Sequence, residues 1–275
     1  MTPNADDIAY WQNWVGKTET MSQRLEVESL RRFAAALGEP LNVETQQPSL
    51  AHWAFFLPVA GPDQIGHDGH SKRGAFLPPI SLPRRMFAAS EMRFYGALAL
   101  GKEATRISRI LSVTHKNGRS GNLMLVEVLH EIAQGDELRV GERQTIVYRD
   151  AGDPIPAAAP AEVGTHPDDV NWQPGTVDLF RFSAVTFNSH RIHYDLPYAM
   201  VEEGYPGLVV HGPFTAARLL GHARRDGRNP SAFAFRALAP LFAGQPILLT
   251  MKGKDELAAI RCDGTTAMAA TVEYR

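Results

Sequence analysis

Cysteine is almost missing from this chain. A single residue, Cys262, among 275 leaves no internal disulfide and no cysteine-built metal site. Its setting in an alternating, strand-like segment reads as a small buried apolar residue rather than a nucleophile. Long apolar runs are missing too: no stretch approaches the roughly 20 residues that a membrane-spanning helix needs. The opening MTPNADDIAY carries acids and no apolar core, so it does not read as a secretory signal or transit peptide, and a cytoplasmic location is expected. Neither sign of charge dominates. With 28 Lys and Arg against 30 Asp and Glu, the formal net charge is −2, which excludes the basic footprint of a nucleic-acid or anionic-membrane binder. What remains, 44% hydrophobic and 21% charged, is an ordinary globular composition. The length suits one large domain or two modest ones.

The pattern along the chain predicts a short amphipathic helix in ADDIAYWQNWVG, with Trp11 and Trp14 on its apolar side. A second helix is expected from Ser22, as its cap, to Leu37, stopped by Gly38 and Pro40. Residues 58–85 are irregular and rich in Gly, Pro and His, and a loop of that length is more often functional or disordered than a plain connector. ATRISRILSVTHK, NLMLVEVLHEI and LRVGERQTIVYRD then read as strands, the first two joined by a turn in NGRSGN. Ala151–Gly164 has the Ala/Pro composition of a linker. Beyond it VDLFRFSAVTFN reads as a strand, a helix starts near Pro213, and SAFAFRALAPL, QPILLTMKGKDELAAIRC and TTAMAATVEYR finish as strands, the middle one folded back at Gly253-Lys254-Asp255. Helix with antiparallel sheet in both halves predicts an α+β fold.

The histidines cluster. His190, His193 and His211 stand close to Asn188, Tyr194 and Asp195. Three readings compete for them: turn-capping residues, a metal site from His190, His193 and Asp195, and proton transfer near neutral pH. The last gains from His211-Gly212-Pro213. Pro213 suits a first helical position, and Gly212 would present a free N–H at the positive end of a helix dipole, suited to a developing oxyanion.

The stretch from FRFSAVTFNSHRIHYDLPYA to VVHGPFTAARLL resembles the C-terminal half of MaoC-like, hydroxyacyl-thioester dehydratase type 2 proteins. HDGHSKRGAFLPPISLPRRMFAAS is similar to a segment of the itaconyl-CoA and mesaconyl-CoA hydratases of that branch. The resemblance implies a double hot-dog fold: a non-catalytic unit over 1–150, a linker over 151–166 and a catalytic unit over 167–275. The wider family places an Asp and a His five residues apart with an acid two further on. Here those positions hold Asn188, His193 and Asp195, so Asn188 would hold a water it cannot deprotonate and His193 would carry the proton. Gly212 would bind the enolate-like oxygen.

The expected reaction is hydration of an α,β-unsaturated dicarboxylic acyl-CoA, itaconyl-CoA or mesaconyl-CoA, with acyl-CoA as substrate, no cofactor and no metal. Arg84, Arg85 and Arg191 are candidates for the acyl carboxylate, and Lys72 and Arg73 for the phosphates of CoA. Tyr194 and His211 are expected to line the substrate, His190 and Asp195 to support it. By the same resemblance a homodimer is expected. Rival readings are a dehydratase of carrier-bound fatty acyl chains, a hot-dog thioesterase and a non-catalytic acyl-CoA binder.

Overall fold

The computed structural model describes residues 3–118, 121–163 and 166–275. The N-terminal half forms helices α1 (Ala5–Gln12) and α2 (Val27–Leu37) and strands β1 (Thr18–Arg24), β2 (Arg84–Phe94), β3 (Glu103–Gly118), β4 (Gly121–Gln134) and β5 (Glu137–Arg149). The C-terminal half forms β6 (Val170–Trp172), α3 (Thr176–Thr186), α4 (Gly212–Ala223), β7 (Pro230–Ala237), β8 (Ile247–Lys252), β9 (Glu256–Arg261) and β10 (Thr266–Tyr274). All strands join one antiparallel sheet in the order β1-β3-β4-β5-β2-β7-β10-β9-β8-β6. The halves meet where β2 pairs with β7, from Ala89↔Arg236 to Arg93↔Ala232.

One helix serves each half. In α2, Leu30, Phe33, Ala34 and Leu37 recur at helical spacing and are buried with Met92, Ala104, Ile132 and Val140 of the N-terminal strands. Gly38, at φ 68°, caps it in the left-handed conformation. α4 buries Phe214, Ala216, Ala217, Leu219 and Leu220 in the same core, with Phe233, Leu249, Leu257 and Met268 of the C-terminal strands. The two helices are also tied directly, Arg218 Nη1 donating to Leu37 O at 2.5 Å. A second core lies under α1 and the 76–82 segment, built on Trp11, Ile80, Leu82, Met124 and Tyr148.

Two expectations are corrected. Ser22 caps no helix: it lies in edge strand β1, its hydroxyl hydrogen-bonded to Thr105 Oγ1 at 2.8 Å, because Glu19, Met21 and Gln23 alternate inward with a period of two. VDLFRFSAVTFN is helix α3, not a strand. Its aromatic and β-branched content favours a strand by propensity. Packing overrides that: Leu179, Phe182 and Ser183 form one buried helical face, and the Phe182 ring lies 6.1 Å from Phe33 and 4.6 Å from Phe214.

Strand β2, unforeseen, starts inside the segment read as irregular. The tip of the NGRSGN turn, residues 119 and 120, and linker residues 164 and 165 lie outside the described residues. Residues 151–163 run extended along the C-terminal half, Ala161 N–H donating to Cys262 O. Buried Glu142 of β5 accepts from His52 Nε2 (3.1 Å), Trp53 Nε1 (3.1 Å) and Ser90 Oγ (2.8 Å). Burial pushes this carboxyl up, but the His52 bond, the charges of His52 and His130 and the Ser90 bond together outweigh it and hold it down to about 2. Among the described residues no helix is long and apolar enough to cross a membrane.

Candidate active site

The site begins where α3 stops. Phe187 ends the helix at φ 49°, a left-handed conformation that costs a non-glycine residue on the order of 1–3 kcal/mol. The next residue, Asn188, donates its N–H to Ser183 O at 2.9 Å and accepts from His190 N–H on Oδ1 at 3.0 Å. This Asx turn starts the tight helical turn Arg191–His193. Asp195 fixes the turn rather than any histidine: Oδ2 accepts from Arg191 Nε (2.9 Å) and Nη2 (2.7 Å), and Oδ1 from Tyr198 N–H (3.1 Å).

His193 is buried, and its Nδ1 is bonded to Val209 O at 2.7 Å. A carbonyl can only accept, so the proton sits on Nδ1 and Nε2 carries the lone pair. Burial lowers this imidazole to about 4, leaving a neutral ring at physiological pH. His211 stacks on it with centroids 3.6 Å apart, and His190 meets it edge-on at 5.4 Å. His211 Nε2 is hydrogen-bonded to Ser183 Oγ at 2.8 Å, and His211 is the N-cap of α4, with Gly212 and Pro213 in its first turn. The first N–H groups of a helix lack intrahelical acceptors. A Cβ on Gly212 would lie 3.7 Å from Phe87 O and 4.0 Å from Met268 Cε, ordinary contacts, so the protein's own packing does not require glycine there.

The N-terminal half enters the site through residues 64–72. An Ile65↔Ser71 bridge and the bonds Gly66 N–H to His70 O and Lys72 N–H to Gln64 O, both 2.7 Å, close them into a small hairpin. This hairpin docks on the histidine turn. Arg191 N–H donates to Asp68 O (3.0 Å), Ser189 Oγ to Gly69 O (2.5 Å) and Arg191 Nη1 to His67 O (3.2 Å). Two side chains that the sequence reading missed, Asp68 and His70, thereby join the cluster. Asp68 Oδ2 is bonded to His70 Nδ1 at 3.0 Å, and the His70 ring lies 4.0 Å from that of His190. Burial raises the Asp68 carboxyl, but His70 outweighs it and holds it well below the usual range. Donor atoms of Asp68, His70 and His190 all lie within 4.8 Å of one another, and the Asp68–His70 bond makes this first a carboxylate–imidazole pair. The ligand set His190, His193 and Asp195 does not assemble, since Asp195 is spent on Arg191 and His193 Nδ1 on Val209. The unabsorbed signal for the missed pair was HDGH in a His-rich loop.

The candidate cations separate clearly. Arg84 pairs with Glu203 (Nε to Oε2, 3.2 Å) and donates to Glu203 O. Arg191 is held by Asp195. Arg73 donates to the carbonyls of Ile80, Leu82 and Pro83. Arg85 makes no ion pair among the described residues. Lys72 is exposed on the rim of a cleft of about 560 Å³ that Asp68, Arg84 and Tyr198 also line. Tyr194 is half-exposed and donates to Ser189 O.

The sequence profile of the hydroxyacyl-thioester dehydratase type 2 family matches residues 50–243, a span that contains the hairpin, the histidine turn and the start of α4. The chain belongs to this family. As a member it is a hydro-lyase. It is 44% identical to a mesaconyl-C(4)-CoA hydratase from Chloroflexus aurantiacus over 96% of this chain and 98% of that one. Over a shorter stretch, 27% of this chain and 26% of the relative, it is 38% identical to a mitochondrial hydroxyacyl-thioester dehydratase type 2 from Schizosaccharomyces pombe. Among solved structures, HtdX of Mycobacterium tuberculosis superposes with a TM-score of 0.67 at 18% identity, covering 94% of this chain and all of that one. A second mycobacterial protein, described as having a double hot-dog fold, superposes with a TM-score of 0.58 at 12% identity, over 94% of this chain and 96% of that one. The fold of this family member is accordingly the double hot dog.

Proposed function

We propose that the protein adds water reversibly across the double bond of a short α,β-unsaturated dicarboxylic acyl-CoA of the mesaconyl or itaconyl type, within the catalytic unit 167–275. The relative from Chloroflexus aurantiacus, alike over nearly the whole of both chains, supports the substrate class. The observation that carries the chemistry is His193: a buried, neutral imidazole with Nδ1 committed to Val209 O and Nε2 left as a base, stacked on the residue that opens α4.

As the water oxygen bonds to the β-carbon, its proton passes to His193 Nε2. The electron pair of the double bond moves to the thioester oxygen, where the Gly212 N–H stabilises the enolate. One such donor is typically worth roughly 3 kcal/mol in the transition state. The proton on His193 then passes to the α-carbon, so the net change is addition of one water and no cofactor is consumed. Glycine at 212, which protein packing does not demand, lets the thioester reach the helix N-terminus. Asn188, its Oδ1 taken by His190 N–H, has its amide Nδ2 left to orient the water. Residues 1–150 act as the non-catalytic unit that delivers the Asp68–His70 hairpin.

Replacing His193 with Ala tests the reading. Turnover is expected to fall by about 10²–10⁴ with a cooperative unfolding transition retained; near-normal turnover in a folded variant would sink the assignment.

A further inference from the structure

Arg85 and Tyr148 are direct cross-strand partners in the β2–β5 pairing, so their side chains share a face. Arg84 points to the opposite face, where Glu203 takes it. Tyr148 is fully buried, and the side chain set against its hydroxyl is Arg85, which can only donate, so the O–H itself has no acceptor among the described residues. Buried hydroxyls are ordinarily paired, so this one is an open donor. The cation over its ring, Arg73 at 5.0 Å, has its N–H groups committed to backbone carbonyls. Arg85 is half-buried, and its charge acts on Asp68, His70, His190 and Tyr148 together, which sets it beside the histidine cluster. Asp68, the carboxylate on which the Arg85 charge acts, is bonded to His70 instead.

We propose that Arg85 and the Tyr148 hydroxyl form a carboxylate subsite, which receives the free carboxylate of the dicarboxylic acyl group and sets the preference for dicarboxylic over monocarboxylic thioesters. The inference rests on the hydratase reading above. Guanidinium and phenol supply donors that match a carboxylate's two oxygens. The position is also chemically apt. In a mesaconyl group esterified at C4, the free carboxylate is borne by the carbon that water attacks, where its charge opposes an incoming hydroxide-like oxygen. A cation there assists attack as well as binding, so its loss lowers kcat and raises KM together.

The test compares mesaconyl-C(4)-CoA with crotonyl-CoA, which has a methyl group and no carboxylate. In Arg85→Met the ratio of kcat/KM for the two substrates is expected to fall at least 100-fold. In Tyr148→Phe it is expected to fall roughly 5- to 20-fold with little change in the thermal midpoint, because the O–H removed has no acceptor in the free protein. Where Arg85→Met does not fold, Arg85→Lys is expected to shift the same ratio about 10-fold by losing the two-pronged contact. Equal losses on both substrates, or an unchanged ratio, overturn the subsite. A wild-type protein that hydrates neither thioester overturns the functional reading itself, and that result is known before any variant is compared.

Discussion

At the residue scale, the proposed chemistry turns on how four histidines differ. His193 faces a carbonyl, His211 a hydroxyl, His70 a carboxylate, and His190 packs between rings. Burial keeps His193 neutral down to about 4, and the titratable groups that face it, His70 from the N-terminal half and His190 and His211 from its own, include no carboxylate. A base must be unprotonated to act, so activity is lost as pH falls through its folded value. Initial-rate kcat/KM is therefore expected to stay level from pH 7 to about 5 and to drop with a midpoint near 4. A midpoint near 6.5, the ordinary imidazole value, would contradict a base held in the buried, neutral state described for His193. FNSHRIHYD and HGP were legible because their geometry is local: one turn and one helix start. Asp68 and His70 were not, since Gly69 and Ser189, which bring them in, are 120 positions apart. The choice among arginines was equally illegible, for Glu203 and Asp195 decide it from other elements.

At the scale of elements, the 64–72 hairpin is the decisive piece, and Gly69 is its tightest point. At φ +88°, a Cβ there would fall 1.9 Å from Ser189 O, so no side chain fits without separating the hairpin from the histidine turn. Gly69→Ala is expected to cost upwards of about 1–3 kcal/mol and to lower turnover as Asp68 and His70 withdraw. Gly253→Ala is the control, at φ +79° with nothing within 4 Å: it carries the backbone strain and should leave turnover intact. Thermal melts and rates on the two variants check this; equal turnover would show that the docking is not needed. Sequence patterning found α4 and strands β3, β4, β5 and β7–β10, whose periods are clean. It failed at α3, where exposed Val177 and Phe180 blur the helical period and contact with α2 decides.

At the scale of the whole molecule, two five-stranded halves share one sheet and one core. The catalytic turn belongs to the second half, while the hairpin against it and Arg85 belong to the first. In the proposed reading, that division lets the first half set the acyl preference while the second carries the base. The fold class followed from the mix of helix and antiparallel strands, whereas the continuity of the sheet through β2 and β7 did not, because β2 lies next to the irregular loop. The hydratase assignment is decided by a paired assay of the wild-type protein on mesaconyl-C(4)-CoA and crotonyl-CoA, following enoyl-thioester absorbance with a thiol reagent in parallel. Loss of absorbance without thiol release, and a higher kcat/KM for the dicarboxylic thioester, are expected. Release of free thiol, or a preference for crotonyl-CoA, would contradict the assignment.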